Sequence, residues 1–227
     1  MGTVQIRFFD YGQKEMDELR RADEKLGAAI DRFGRIDRLI IPDLFTALIH
    51  AIVGQLVSVK AAATIWGRML QHFGDISPQS LVLGSADEIQ RCGMTMKKAV
   101  CIHQIAHRIG QGEFDLDELH HLTDQQVIHK LSTLPGVGRW TAEMLLIHSM
   151  ERPDVVSWGD LAIRRGMMRL YNLPSLSKQQ FDAYRTSYSP LGSVASIYLW
   201  EIASEPYLPM EDLPPKLDTE GYNEYKL

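Results

Sequence analysis

Apolar side chains recur every three or four residues through most of the chain, the spacing of helices that each bury one face. After Ser58, the positions Ala62, Ile65, Met69 and Phe73 share a face, and Gly74 ends the run. Ala99, Ile102, Ala106 and Ile109 make a second stripe, closed by Gly110. Val127, Leu131 and Leu134 make a third, and an apolar run over residues 141–149 continues until Pro153 stops it. Ile163, Met167 and Leu170 mark another helix, followed by Phe181, Tyr184 and Tyr188. Ser85 with Glu88, Thr123 with Gln126, and Ser177 with Gln180 have the spacing of capping boxes. Ser189-Pro190 reads as the cap and first position of a last helix reaching about Ala203. The short stretch VQIRFF, residues 4–9, is the one candidate strand. The pattern predicts an all-α chain of about ten helices with short links, without repeats or low-complexity segments. Pro206, Pro209, Pro214 and Pro215 prevent continuous helix near the C-terminus and predict a segment that wraps the surface.

Charge adds a second layer. The net charge of −5 argues at first against an anionic partner, but it is unevenly spread. Residues 201–227 hold seven acids and two lysines, which is −5, so the first 200 residues balance at 22 basic and 22 acidic side chains. Residues 89–112 carry Arg91, Lys97, Lys98 and Arg108 and no acid, and residues 155–181 carry Arg164, Arg165, Arg169 and Lys178 with Asp160 as the sole acid. Local basic patches govern phosphate binding more than the total does. Two cysteines, Cys92 and Cys101, exclude a disulfide framework and a four-cysteine cluster, and suit a reducing, intracellular setting. No signal-peptide pattern and no apolar run long enough to span a bilayer appears in the sequence.

The chemistry concentrates downstream of the third stripe. In LPGVGRW, residues 134–140, Gly136 and Gly138 lie between two helical runs. Glycine allows positive φ and lets another backbone come close. Amides of such a turn and of the following helix start then face outward as an anion site, suited to a DNA phosphate gripped without regard to sequence. A plain helix–helix corner is the competing reading of those glycines. Asp160, in SWGDLAIRRG, precedes an apolar-periodic helix and has the position of an N-cap. Helix-terminal amides, with Arg164 and Arg165 close in sequence, favour its ionised form. His50 and His148 lie in apolar runs and read as core or surface fillers, and the histidines show no metal-ligand spacing.

LSTLPGVGRWTAEMLLI followed by GDLAIRRG resembles the helix-hairpin-helix/Gly-Pro-Asp DNA glycosylases. LIHAIVGQLVSVKAAATIW, GMTMKKAVCIHQIA and YLWEIA resemble the AlkA-type 3-methyladenine glycosylases in their compact form, without an N-terminal β domain. The resemblance runs from about residue 40 to residue 204. It implies two helical subdomains with an active-site cleft between them, one of about residues 41–137 and one of about 1–40 with 138–227. It implies excision of alkylated purines, 3-methyladenine and 7-methylguanine, from double-stranded DNA after base flipping. Asp160 takes the catalytic position. Its carboxylate would stabilise the sugar cation that forms as the N-glycosidic bond breaks, or direct water to C1′.

Related bifunctional enzymes carry a lysine two residues after the second hairpin glycine. Trp140 stands there in this chain, which implies a hydrolase without lyase activity. Leu56 matches the apolar wedge that fills the vacated stack, with Gln55 beside it. Trp140, Trp200, Met144 and Leu161 match base-pocket positions, where π faces attract a cationic base. Lys98, Pro135, Gly136, Val137, Gly138, Arg139 and Thr141 complete the DNA-binding set, and the carbonyls of Ser132, Leu134 and Val137 match a structural Na⁺ or K⁺ site. Catalysis would need no cofactor, and the iron–sulfur cluster of some relatives is excluded by the cysteine count. One duplex per monomer would suffice, in the cytoplasm of a bacterium or the nucleus of a eukaryote. The chain departs from the family at Leu191-Gly192, where many members have an aromatic residue and an arginine. A non-catalytic binder of abasic or damaged sites, a glycosylase for other bases such as hypoxanthine, and an architectural DNA-binding module are the alternatives.

Overall fold

A computed structural model describes residues 5–205. Within them are twelve α-helices, a 3-10 turn at Asp117–His121, and the two-residue strands Arg7–Phe8 (β1) and Leu39–Ile40 (β2), which form a two-stranded sheet. The all-α expectation holds. β1 falls within the stretch expected to be extended, whereas β2 and the first two helices carry no strong signal in the sequence pattern. The proline-rich segment from Pro206 onward lies outside the described residues.

The chain divides into two compact units. The first is Leu39–Met150 with residues 5–7. It holds α3 (Leu44–Gly54), α4 (Val59–Phe73), α5 (Pro78–Leu83), α6 (Ala86–Arg91), α7 (Met96–Gly110), α8 (Asp124–Leu131) and α9 (Arg139–His148). α9 therefore belongs to this unit, past the boundary drawn near 137 from the sequence. Its packing explains this: α9 lies against α3 and α8, and Ala142, Leu145, Leu146 and Ile147 are buried. Side-chain oxygens start most helices here. Asp43 accepts from Thr46, Ser58 from Ala61, and the Ser85 and Thr123 boxes form with Glu88 and Gln126. α7 is laid on α5 and α6 by its stripe of Ala99, Ile102, Ile105 and Ala106.

The second unit is Phe8–Arg38 with residues 151–205. It holds α1 (Gln13–Ala22), α2 (Glu24–Phe33), α10 (Leu161–Leu170), α11 (Lys178–Tyr188) and α12 (Gly192–Ser204). α12 is apolar on nearly every side and is the core of this unit, packed on α10 and α2. α10 crosses it at glycine. A Cβ at Gly166 would stand 2.2 Å from the Leu199 carbonyl oxygen, so the two backbones meet directly.

The start of α12 corrects the sequence reading. Ser189 and Pro190 precede the helix, and the N-cap is Leu191, which offers no side-chain acceptor. Asp154 does the capping from a distant loop. Its Oδ1 accepts from the Gly192 amide at 3.1 Å and its Oδ2 from the Ser189 hydroxyl at 2.6 Å, while the Ser193 amide donates to the Pro153 carbonyl. A Cβ at Gly192 would sit 2.6 Å from that same Oδ1. Glycine at 192, the departure noted from the family, is thus required by how this chain caps its last helix.

Candidate functional site

The α8–α9 hairpin is built from Ser132, the C-cap of α8, to Gly138, the N-cap of α9. Its two glycines do different work. Gly136 has φ +77°, and a Cβ there would meet Cys101 Sγ at 3.1 Å, so the turn needs it bare on both counts. Gly138 has φ −99°, and nothing lies within 4 Å of where its Cβ would be. The fold does not need glycine at 138. It also supplies no side-chain cap there, so the N-cap position itself contributes no acceptor to the first turn of α9. Val137 is an exception to the outward-facing amides expected of the turn. Its side chain is buried and its N–H donates to the Leu134 carbonyl at 3.2 Å.

Arg139 is exposed at this helix start and pairs with the buried Glu143 at 2.8 Å. Trp140 is half-exposed, whereas Met144, one turn on, is buried. Thr141 is buried too, and its hydroxyl faces inward, accepting from Gln55 Nε2 at 3.0 Å. The carbonyls of Ser132 and Leu134 lie at the C-terminal end of α8, the negative end of its dipole.

The α3–α4 turn belongs to the same unit. After the C-cap Gln55, Leu56 adopts φ +57° and its side chain is fully exposed. Both features are unfavourable for a leucine, in backbone conformation and in hydration. Val57 and Val59 are also exposed beside it in sequence. Lys98 does not reach outward as a phosphate-binding lysine would. Its Nζ donates to the Val53 carbonyl at 2.9 Å and to the Gln55 carbonyl, and burial pushes its ammonium below the usual lysine range. The Gln55 side chain in turn donates to the Gly136 carbonyl at 3.0 Å. The structure therefore brings Gln55, Leu56, Lys98, Gly136 and Thr141 into one connected assembly.

In the second unit, Asp160 is the N-cap of α10. Its Oδ1 accepts from the Ala162 amide at 2.8 Å and the Ile163 amide at 2.9 Å, and the residue is 7% exposed. Leu161 follows it and is 66% exposed. Arg164, on the next turn, lays its guanidinium over Trp158 at 4.8 Å. Trp200, on α12, has the buried Arg38 guanidinium over its ring at 5.0 Å. Arg38 and Asp154 act here through partners far away in sequence, and no local signal announces them. Among the described residues, no group of His, Cys, Asp and Glu side chains is arranged to hold a metal ion, and no helix is long and apolar enough to cross a membrane.

Solved structures of similar shape are DNA glycosylases. A DNA-3-methyladenine glycosidase from Bacillus halodurans matches with a TM-score of 0.74 and 30% identity, over 88% of this chain and 93% of that one. The Schizosaccharomyces pombe 3-methyladenine DNA glycosylase, in complex with abasic DNA, matches with a TM-score of 0.75 and 28% identity, over 83% and 96%. By sequence, DNA-3-methyladenine glycosylase 1 of Schizosaccharomyces pombe is 31% identical over 162 residues, 69% of this chain and 71% of that protein. DNA-3-methyladenine glycosylase 2 of Escherichia coli is 27% identical over 70% of this chain, which spans 57% of that relative. The family model described as HhH-GPD superfamily base excision DNA repair protein matches residues 49–189. That match runs through the α3–α4 turn, the hairpin and the start of α10, and the chain belongs to the HhH-GPD superfamily of base excision DNA repair proteins.

Proposed function

We propose that the protein is a DNA-3-methyladenine glycosylase that hydrolyses the N-glycosidic bond of alkylated purines in double-stranded DNA, 7-methylguanine included, without cutting the strand. The observation that carries this reading is Leu56: a leucine held fully exposed at positive φ, on a turn tied by hydrogen bonds to the hairpin. A duplex that receives such a side chain in place of an extruded base supplies the apolar contact that water denies it. The amides at the start of α9 suit a phosphate of the same duplex, with Gly138 leaving room for the strand to approach. In this reading Pro135, Gly136 and Arg139 contribute to the grip, while Val137 and Thr141 support it from inside.

Asp160 supplies the charge. Two amides fix Oδ1, so the carboxylate does not have to reorganise when the deoxyribose becomes cationic. It stabilises that cation or orients the water that ends at C1′. Trp140, Trp200, Met144 and Leu161 are assigned to the base, the tryptophans for their attraction to a cationic purine. With no amine at position 140, a Schiff base to the sugar has no nucleophile there. The Ser132, Leu134 and Val137 carbonyls are assigned to a Na⁺ or K⁺, supported by the place of Ser132 at the negative end of α8. Such an ion would supply positive charge toward a phosphate and takes no part in bond cleavage. The protein acts as a monomer on one duplex.

The test is release of free base from methylated duplex DNA. The wild-type protein is expected to release 3-methyladenine and leave an intact strand with an abasic site, and Asp160→Asn to release almost none. Release by neither protein would favour a damage-binding role, and equal release by both would remove Asp160 from the chemistry.

A further inference from the structure

The turn that carries Leu56 is held from two sides by residues whose polar atoms are spent within the protein. α3 ends at Gly54, and its last carbonyls form the negative end of the helix. Lys98, in the first turn of α7, places its ammonium on two of the carbonyls that frame the turn, those of Val53 and Gln55. On the other side the Gln55 amide uses both of its N–H groups. One reaches the Gly136 carbonyl, at the hairpin residue with φ +77°, and the other reaches the Thr141 hydroxyl in the first turn of α9, each at 3.0 Å. Ser58 then caps α4 immediately after the turn. The backbone before Leu56 is therefore fixed to α7 and to the hairpin, while the Leu56 side chain touches solvent.

We propose that Lys98 and Gln55 are positioning residues that lock the Leu56 turn to the α8–α9 hairpin, so that seating a phosphate on the hairpin also sets the depth and direction of the wedge. This rests on the wedge role of Leu56 argued above. It assigns Lys98 a task opposite to that of a phosphate contact: its charge is consumed by carbonyls of the protein. Loss of either residue leaves the hairpin able to hold DNA but lets Leu56 drift along its soft backbone, and extrusion of the base fails more often. Affinity for undamaged duplex and base removal thus become separable.

The test is a double-mutant cycle. Single-turnover release of 3-methyladenine from methylated duplex is measured for wild type, Leu56→Ala, Lys98→Met and the double variant. Binding to the same duplex without methylation is followed over a salt series, and thermal unfolding is recorded for each protein. Leu56→Ala and Lys98→Met are each expected to lower release roughly tenfold, and the double variant to fall less than about twofold below Leu56→Ala, because contacting or coupled residues do not add. Affinity for undamaged duplex and its salt slope should stay as in wild type. Equal losses from Lys98→Met in both backgrounds, full release by Lys98→Met, or a salt slope reduced by about one would overturn the proposal, the last by showing a phosphate contact. Full release by Leu56→Ala would instead remove the wedge reading on which it rests. Should Lys98→Met fail to fold, Gln55→Ala takes its place with the same expectation.

Discussion

Two helix starts in this protein answer one physical problem in opposite ways. Every helix begins with amides that lack an intrahelical acceptor. At α10 the chain fills that need itself, with Asp160 accepting from Ala162 and Ile163. At α9 the N-cap makes no such contribution: Gly138 has no side chain to offer, and the space where its Cβ would stand is open. A filled start holds an anion in a fixed place. A start without a side-chain cap is the one proposed above to receive an anion from outside. The difference teaches that a missing cap is as informative as a present one, once it is known that the fold did not require the glycine.

The comparison can be broken from either end. The largest effect is expected at the filled start. Asp160→Asn keeps an acceptor for the two amides and removes only the charge, so base release should fall about 100–1000-fold, comparable to loss of one preorganised electrostatic group, with an unchanged unfolding midpoint. Next is the neighbouring glycine that the fold does need. Gly136→Ala forces a side chain to φ +77° against Cys101. It should cost about 2 kcal/mol in denaturant unfolding, and Cys101→Ala should recover part of that loss.

Gly138→Asp converts the open start into a copy of the filled one. Duplex affinity should drop roughly tenfold, while stability holds or rises by a few tenths of a kcal/mol. A loss of DNA binding without loss of stability distinguishes an anion site from a plain corner, which would keep its affinity. The smallest effect concerns acid. His50 lies edge-on to Trp66, and burial pushes its imidazole down to about 4. Its folded value lies below its unfolded one, so the unfolded chain binds more protons and stability falls as pH drops from about 6.5 towards 4. His50→Phe should flatten that part of the pH–stability curve.

What the sequence shows follows from range. The hairpin is legible because proline, two glycines and the helices on either side lie within a few residues. Asp160 is legible as a cap for the same reason. α1 and α2 are harder to see, since the former buries only Met16 and Leu19 on an otherwise polar surface. The roles of Lys98, Asp154 and Arg38 are not legible at all. A lysine in a basic stretch reads as a phosphate contact, and only the fold reveals that carbonyls of Val53 and Gln55 occupy it. Gly192 looks like a lost arginine until Asp154 is found gripping its amide. The serine before Pro190 suggested a local cap because local caps are common, but α12 takes its acceptor from another loop.

The bare Cα at position 166 has an effect well beyond its own size. α10 rests there on the Leu199 carbonyl like a beam on a fulcrum, with the Asp160 carboxyl at its end, about 9 Å along the axis. One added methyl would lift the beam at its support and swing the acid out of register with whatever it faces. With Asp160 in the catalytic role proposed above, reaction rate would then be tuned from a spot packed against the protein's own main chain.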